Sequence, residues 1–182
     1  MNAPVETTTT QVSRVTIHAP IRQVWDTLTK EGVVLPFFFG TILETTELGP
    51  GAPIRMRSPD GKFTGVVGDV LEFEPPFKYS MTFKFTNFDD AVCKVTHELK
   101  EIEGGTEYTL TSSEIPVGTK TEKQMAQGGK IITSTLKSCV ETGKPTFMAR
   151  FIMTMSKLTA FMVPKQCRSE HWPLHREISG KW

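Results

Sequence analysis

The chain opens with a polar, Thr-rich stretch over 1–9, expected to fray, and then turns regular. Residues 10–18 (TQVSRVTIH) alternate, with Val15 and Ile17 on one face, which predicts a strand. Pro20 suits the first turn of a helix, because its missing N–H would be unpaired there anyway. Val24, Trp25 and Leu28 follow as an apolar stripe. After Gly32, the run Val33 to Gly40 reads as a short helix or turn loaded with the aromatics Phe37, Phe38 and Phe39.

From 41 to 114 the hydrophobic period is two. Strands are predicted over 41–48, 53–58, 63–74, 77–86, 92–102 and 106–114, divided by turn signals such as Pro59-Asp60-Gly61, Pro75-Pro76 and Gly104-Gly105. Tyr79, Met81, Phe83 and Phe85 share one face; so do Val95, His97 and Leu99, and likewise Tyr108 and Leu110. Short connections imply an antiparallel meander with one buried face.

Beyond 119 the period becomes helical. Over 121–142, Met125, Ile132, Leu136, Cys139 and Val140 fall on one side, and Gly143 with Pro145 stops the helix. A second helix is predicted over 146–163, with Phe147, Phe151, Met155, Leu158 and Met162 at three- and four-residue spacing and Pro164 at its end. The tail 165–182 reads as irregular. A curved sheet must cover its apolar face, and the helix from 121 is the available cover, an arrangement that favours a cavity between the two.

Composition changes this picture little. At 182 residues and 38% hydrophobic the chain is long enough for one self-sufficient core. No apolar run reaches membrane-spanning length and no secretory leader is visible, so no integral membrane association is expected. Three cysteines, Cys93, Cys139 and Cys167, form no disulfide framework and fit a reducing, cytoplasmic setting. The net charge of +1 argues against a nucleic-acid partner. That balance hides an asymmetry. Residues 1–119 carry 10 Lys+Arg against 16 Asp+Glu, net −6, and residues 120–182 carry 11 against 4, net +7. The halves could attract each other within one fold or present a basic face to an anionic partner; without a dense basic cluster, mutual attraction is the favoured reading.

Several stretches resemble the START-like (SRPBCC) superfamily, the birch-pollen-allergen-like helix-grip fold. The nearest branch is the group of bacterial proteins similar to the activator of the heat-shock-protein-ninety ATPase. The resemblance is carried by Ala19-Pro20 through Val24-Trp25-Asp26 to Leu28-Thr29, by Phe38-Phe39-Gly40-Thr41, and by Arg57-Ser58-Pro59-Asp60-Gly61-Lys62. It continues through Gly68 to Pro76 (GDVLEFEPP), Gly105 to Thr111 (GTEYTLT) and Glu141 to Pro145. It implies an α+β helix-grip domain over 10–145. A curved antiparallel sheet of about seven strands would wrap around a long C-terminal helix, with 146–182 as a helical extension and tail. Two positions depart from the family pattern: Gly129-Lys130-Ile131 stands where relatives have Gly-Trp-Pro, and Ser112 where a His is common.

The inward apolar set makes Phe37, Phe38, Met56, Tyr79, Met81, Phe83, His97, Tyr108 and Lys130 the candidate ligand-binding residues. The aromatics and methionines serve equally as core fill. His97 is the one catalytic candidate, as a cavity acid or base, against the plainer reading of a histidine satisfied by its neighbours. Cys167, His171 and His175 repeat every four residues, but Pro173 interrupts any helix there, and neither a metal nor another cofactor is expected. Three functions follow as expectations. The first is binding of a hydrophobic small molecule, lipid- or polyketide-like. The second is a cyclase- or hydrolase-type enzyme built on His97, and the third is a chaperone-interacting or stress-response role. The 146–163 helix is expected to pack on its own domain; a homodimer through it, a cap on the cavity or a place on a membrane surface are the alternatives.

Overall fold

The computed structural model describes residues 7–174. One antiparallel sheet of eight strands forms the body, in the spatial order β1-β8-β7-β6-β5-β4-β3-β2. In chain order the strands are β1 (Thr8–Ile17), β2 (Val34–Leu35), β3 (Thr41–Glu44), β4 (Pro53–Arg57), β5 (Thr64–Glu74), β6 (Lys78–Phe85), β7 (Cys93–Ile102) and β8 (Gly105–Pro116). Helix α1 (Ile21–Leu28) follows β1, α2 (Lys120–Thr142) follows β8, and α3 (Phe147–Leu158) follows α2.

The meander from 41 to 114 stands as read, with small shifts at strand ends. The sheet gains an eighth strand because Val34 and Leu35 pair with Ile42 and Thr41. Only Pro36–Phe38 of the aromatic run turns helically, as one 3-10 turn closed by Phe39 at φ 58. At the N-terminus Thr8 and Thr9 already pair with Pro116 and Ile115, so the strand begins inside the stretch expected to fray.

Curvature comes from bulges and one close approach. Register shifts fall between Met56 and Arg57 and between Val70 and Glu72. At Gly68 a Cβ would collide with the Thr82 carbonyl oxygen, so β5 folds tightly over β6 only because the side chain is missing.

Helix α2 lies in the resulting hollow against β1 and β8. Thr119 caps it, accepting from the Glu122 N–H at 3.1 Å, while Glu122 accepts from the Gly118 N–H at 2.7 Å. Leu136 and Val140 are buried, with Met125, Ile132 and Cys139 packed beside them. The other wall is α1, which buries Ile21, Val24, Trp25 and Leu28. Pro20 stands just outside α1 as its N-terminal flank, and its carbonyl accepts from Val24 N–H at 3.2 Å.

In the C-terminal region α3 packs on its own domain, as expected, but not through its apolar stripe. Helix α3 does not bury its apolar stripe: Phe147, Phe151, Met155 and Leu158 all face solvent, and so does Met162 in the 3-10 turn Ala160–Met162 that follows. It docks instead through the opposite side, by buried Ala149 and by Met153, whose Cγ lies 2.9 Å from where a Cβ of Gly40 would be.

The tail, as far as residue 174, runs in short 3-10 turns across the outer face of the sheet. Ser169 N–H donates to the Lys62 carbonyl at 2.9 Å, Gln166 Nε2 to the Thr86 carbonyl at 3.0 Å, and Trp172 covers Val67. Arg55 and Arg57, which alternate with the inward Ile54 and Met56, donate to the carbonyls of Pro173 at 3.2 Å and Trp172 at 3.1 Å. The tail thereby takes Arg55 fully out of solvent.

Candidate ligand site on the inner face of the sheet

The inward faces of β6, β7 and β8, together with the Phe37-Phe38 turn, bring most of the candidate residues into one cluster. Register sets the geometry. Tyr79 of β6 is paired with His97 of β7, and Tyr108 of β8 is paired with Leu99, one inward position along from His97. The three rings therefore stack in a row across adjacent strands. Tyr79 and His97 centroids are 5.2 Å apart at 7°, and those of His97 and Tyr108 are 6.0 Å apart at 3°. Phe38 meets His97 edge-on at 5.9 Å, and Phe37 stands behind Phe38 at 4.7 Å. On the far side Tyr79 touches Phe73 at 6.2 Å, and Phe73 touches Trp25 of α1 at 5.4 Å. Such tilted and offset contacts are the favourable ones for aromatic quadrupoles.

Polar groups in this wall are few and directed. His97 Nδ1 and Tyr108 Oη share a hydrogen bond of 2.8 Å, and Tyr79 Oη donates to Met81 Sδ at 3.0 Å. Among the described residues no side chain or carbonyl hydrogen-bonds His97 Nε2. Burial disfavours every charged form here. It lowers the His97 pKa from 6.5 to about 3, so the ring is neutral at any physiological pH. The same desolvation pushes the phenols of Tyr79 and Tyr108 well above their ordinary range.

Of the nine candidates, Phe37, Met56, Tyr79, Met81, His97 and Tyr108 are buried in the common core, with Phe38 and Phe83 half-buried at its margin. Lys130 is not brought to them: it is exposed on α2. At the neighbouring glycines of that helix a Cβ would meet the Phe39 ring from Gly128 and Ser13 Oγ from Gly129. Ser112, at the other position that departs from the family, is buried, and its hydroxyl lies 3.7 Å from Met125 Sδ. Phe73 and Trp25 were missed as members of the cluster. Phe73 and Leu71 are two apart and would share a face in a regular strand, but the register shift between Val70 and Glu72 parts them, leaving Leu71 exposed and Phe73 packed on the core.

Cys167 is buried under the tail while His171 is exposed, and His175 lies outside the described residues. Cys93 shares the β7 face with His97 but is a buried thiol whose pKa burial raises to about 12. No group of three or more His, Cys, Asp or Glu positioned for a metal occurs among the described residues.

A curved antiparallel sheet closed over a long helix, with an aromatic interior between them, defines a helix-grip protein. Residues 18–141 match the family described as Activator of Hsp90 ATPase homolog 1-like protein, and the chain belongs to that family. No functionally curated protein matches it. Solved structures share the fold. CalU16 from Micromonospora echinospora is 17% identical with a TM-score of 0.58, over 84% of this chain and 87% of its own. DynU16, from the dynemicin biosynthetic locus, is 25% identical with a TM-score of 0.61, over 75% of this chain but only 48% of its own. The Aha1 dimer of Colwellia psychrerythraea is 17% identical with a TM-score of 0.61, over 75% of this chain and 98% of its own.

Proposed function

We propose that the protein binds a hydrophobic small molecule, lipid- or polyketide-like, against the aromatic wall between the sheet and α2, as a carrier, sensor or sequestering protein. The observation that carries this reading is the neutral His97, fixed through Nδ1 by Tyr108, whose Nε2 has no hydrogen-bond partner among the described residues in an apolar wall. Ligand sites have that composition: mostly apolar and aromatic lining, with a few placed polar groups that orient the guest. Half-buried Phe38, edge-on to His97, marks the side from which a ligand reaches it. DynU16 comes from a biosynthetic locus, a setting in which small-molecule ligands are at hand, and that supports the same class of guest.

An acid–base role for His97 is less favoured. A base whose conjugate acid has a pKa near 3 removes protons poorly at neutral pH, and its hydrogen-bond partner is a phenol held protonated by the same burial. A chaperone-directed role draws on the family description alone. We place the protein in the cytoplasm, where its three free thiols would stay reduced.

The test is native mass spectrometry of the protein purified from its own host, followed by denaturing extraction of any bound mass. A co-purifying apolar compound is expected. Its occupancy should fall at least about tenfold in the double variant His97→Phe/Tyr108→Phe, which keeps ring shapes and removes both polar partners together. An apo mass throughout, or a bound compound indifferent to the double variant, would overturn the proposal.

A further inference from the structure

Much of the positive charge of the described C-terminal third stands on exposed side chains. The ion pairs of the described residues stay within each half, such as Arg14–Glu107, Lys78–Glu72, Lys94–Glu72, Lys137–Glu141 and Arg168–Glu170. His18–Glu141 crosses between them, with the carboxylate on the basic side. From Thr142 to Ser169 the chain holds Lys144, Arg150, Lys157, Lys165 and Arg168 and not one Asp or Glu. The first four are exposed and have no ion-pair partner among the described residues.

The same segment carries the most exposed large hydrophobic side chains among the described residues. Phe147 is 80% exposed, Leu158 63% and Phe161 85%, with Phe151 and Met162 beside them. On α3, positions 147, 151 and 158 lie within one narrow arc, because four- and seven-residue steps return to one face. Arg150 and Lys157, seven apart, run together along its border. The opposite face, through Ala149 and Met153, is already used to hold the helix on the domain. At 12 residues α3 is too short to cross a bilayer, and no helix among the described residues is long and apolar enough to do so.

We propose that α3 and the turn after it dock on an anionic lipid surface. The ring and aliphatic side chains of Phe147, Phe151, Leu158 and Phe161 would enter the headgroup boundary, and Arg150 and Lys157 would meet the phosphates. Charge selects this occupant over a second copy of the chain. A two-fold pairing of the face would set Arg150 and Lys157 of each copy against the same residues of the other, with no carboxylate in the segment to offset them. An anionic bilayer surface supplies both the apolar layer and the counter-charge in one plane. The proposal is independent of what the interior binds.

Flotation of the full-length protein with vesicles tests it, comparing pure phosphatidylcholine with phosphatidylcholine containing phosphatidylserine. Binding is expected to the anionic vesicles only, and it should drop at least about tenfold when salt rises from roughly 0.1 M to 0.5 M. Phe151→Asp/Leu158→Asp should lower partitioning at least about tenfold. Arg150→Glu/Lys157→Glu should do the same and abolish the salt dependence. All four positions are exposed, so circular dichroism should show the variants folded. Three results would overturn the proposal. One is no vesicle binding, and another is equal binding to neutral vesicles. The third is a dimer, seen by light scattering without lipid, that Phe151→Asp dissolves, because it would assign the face to a second copy.

Discussion

His97 and Tyr108 satisfy each other in a place where neither reaches bulk water, and that makes their pairing asymmetric under mutation. Tyr108→Phe strands His97 Nδ1 in an apolar wall and should cost about 1–3 kcal/mol in chemical denaturation, whereas His97→Phe/Tyr108→Phe should be closer to neutral. A double variant as costly as the sum of the singles would show that the bond contributes nothing. The same burial gives a pH signature. The unfolded chain takes up the histidine proton near pH 6.5, while the folded chain holds it off until about pH 3. Stability therefore rises with pH between those limits, by up to on the order of 4 kcal/mol, and this group adds no slope above them. Glu72, held at about 2 by the hydrogen bonds of Lys78 and Ser80, changes its proton between that value and its ordinary 4.5, below the interval from pH 5 to 6.5 in which His97 contributes. Urea titrations across it should show a positive slope that the double variant flattens. Alternation alone placed His97 and Tyr108 inward. That their rings meet depends on the β7–β8 register, which no local pattern encodes, and Lys130 was misjudged because its family position was read instead of its helix face.

Among the elements, the strands were the easy part, since period-two runs between Gly and Pro turns leave few alternatives. What escaped was the bend. Gly68 sits mid-strand in an otherwise ordinary β5, and its role shows only when the Thr82 carbonyl is seen against it. Gly68→Ala should destabilise by several kcal/mol, because the obstruction is backbone and cannot rotate away. A thermal midpoint within a degree or two of the parent would contradict that account. Helix α3 shows the opposite failure. Its period was evident and its length nearly so, but a period does not say which way a stripe faces. The stripe turns outward because Ala149 and Met153, small and flexible, fit the Phe39-Gly40 turn more closely than a row of phenylalanines could.

At the scale of the molecule, the last described residues complete the sheet from outside. Their signal was present as Trp172-Pro173 and as two arginines at outward positions of β4, yet only long-range folding joins them. Trp172→Ala should cost about 3 kcal/mol, uncovering Val67 and loosening the carbonyls that hold Arg55 and Arg57, and should be read as a lowered thermal midpoint. An unchanged midpoint would mean that the tail rests on the sheet without supporting it. The contact between Arg55 and Pro173 also spans 118 positions of sequence. A ribosome making this chain has finished every strand before it reaches the residue that seals β4. Until then a guanidinium stands open on the strand, so the sheet can be assembled during synthesis but sealed only after Pro173 has emerged.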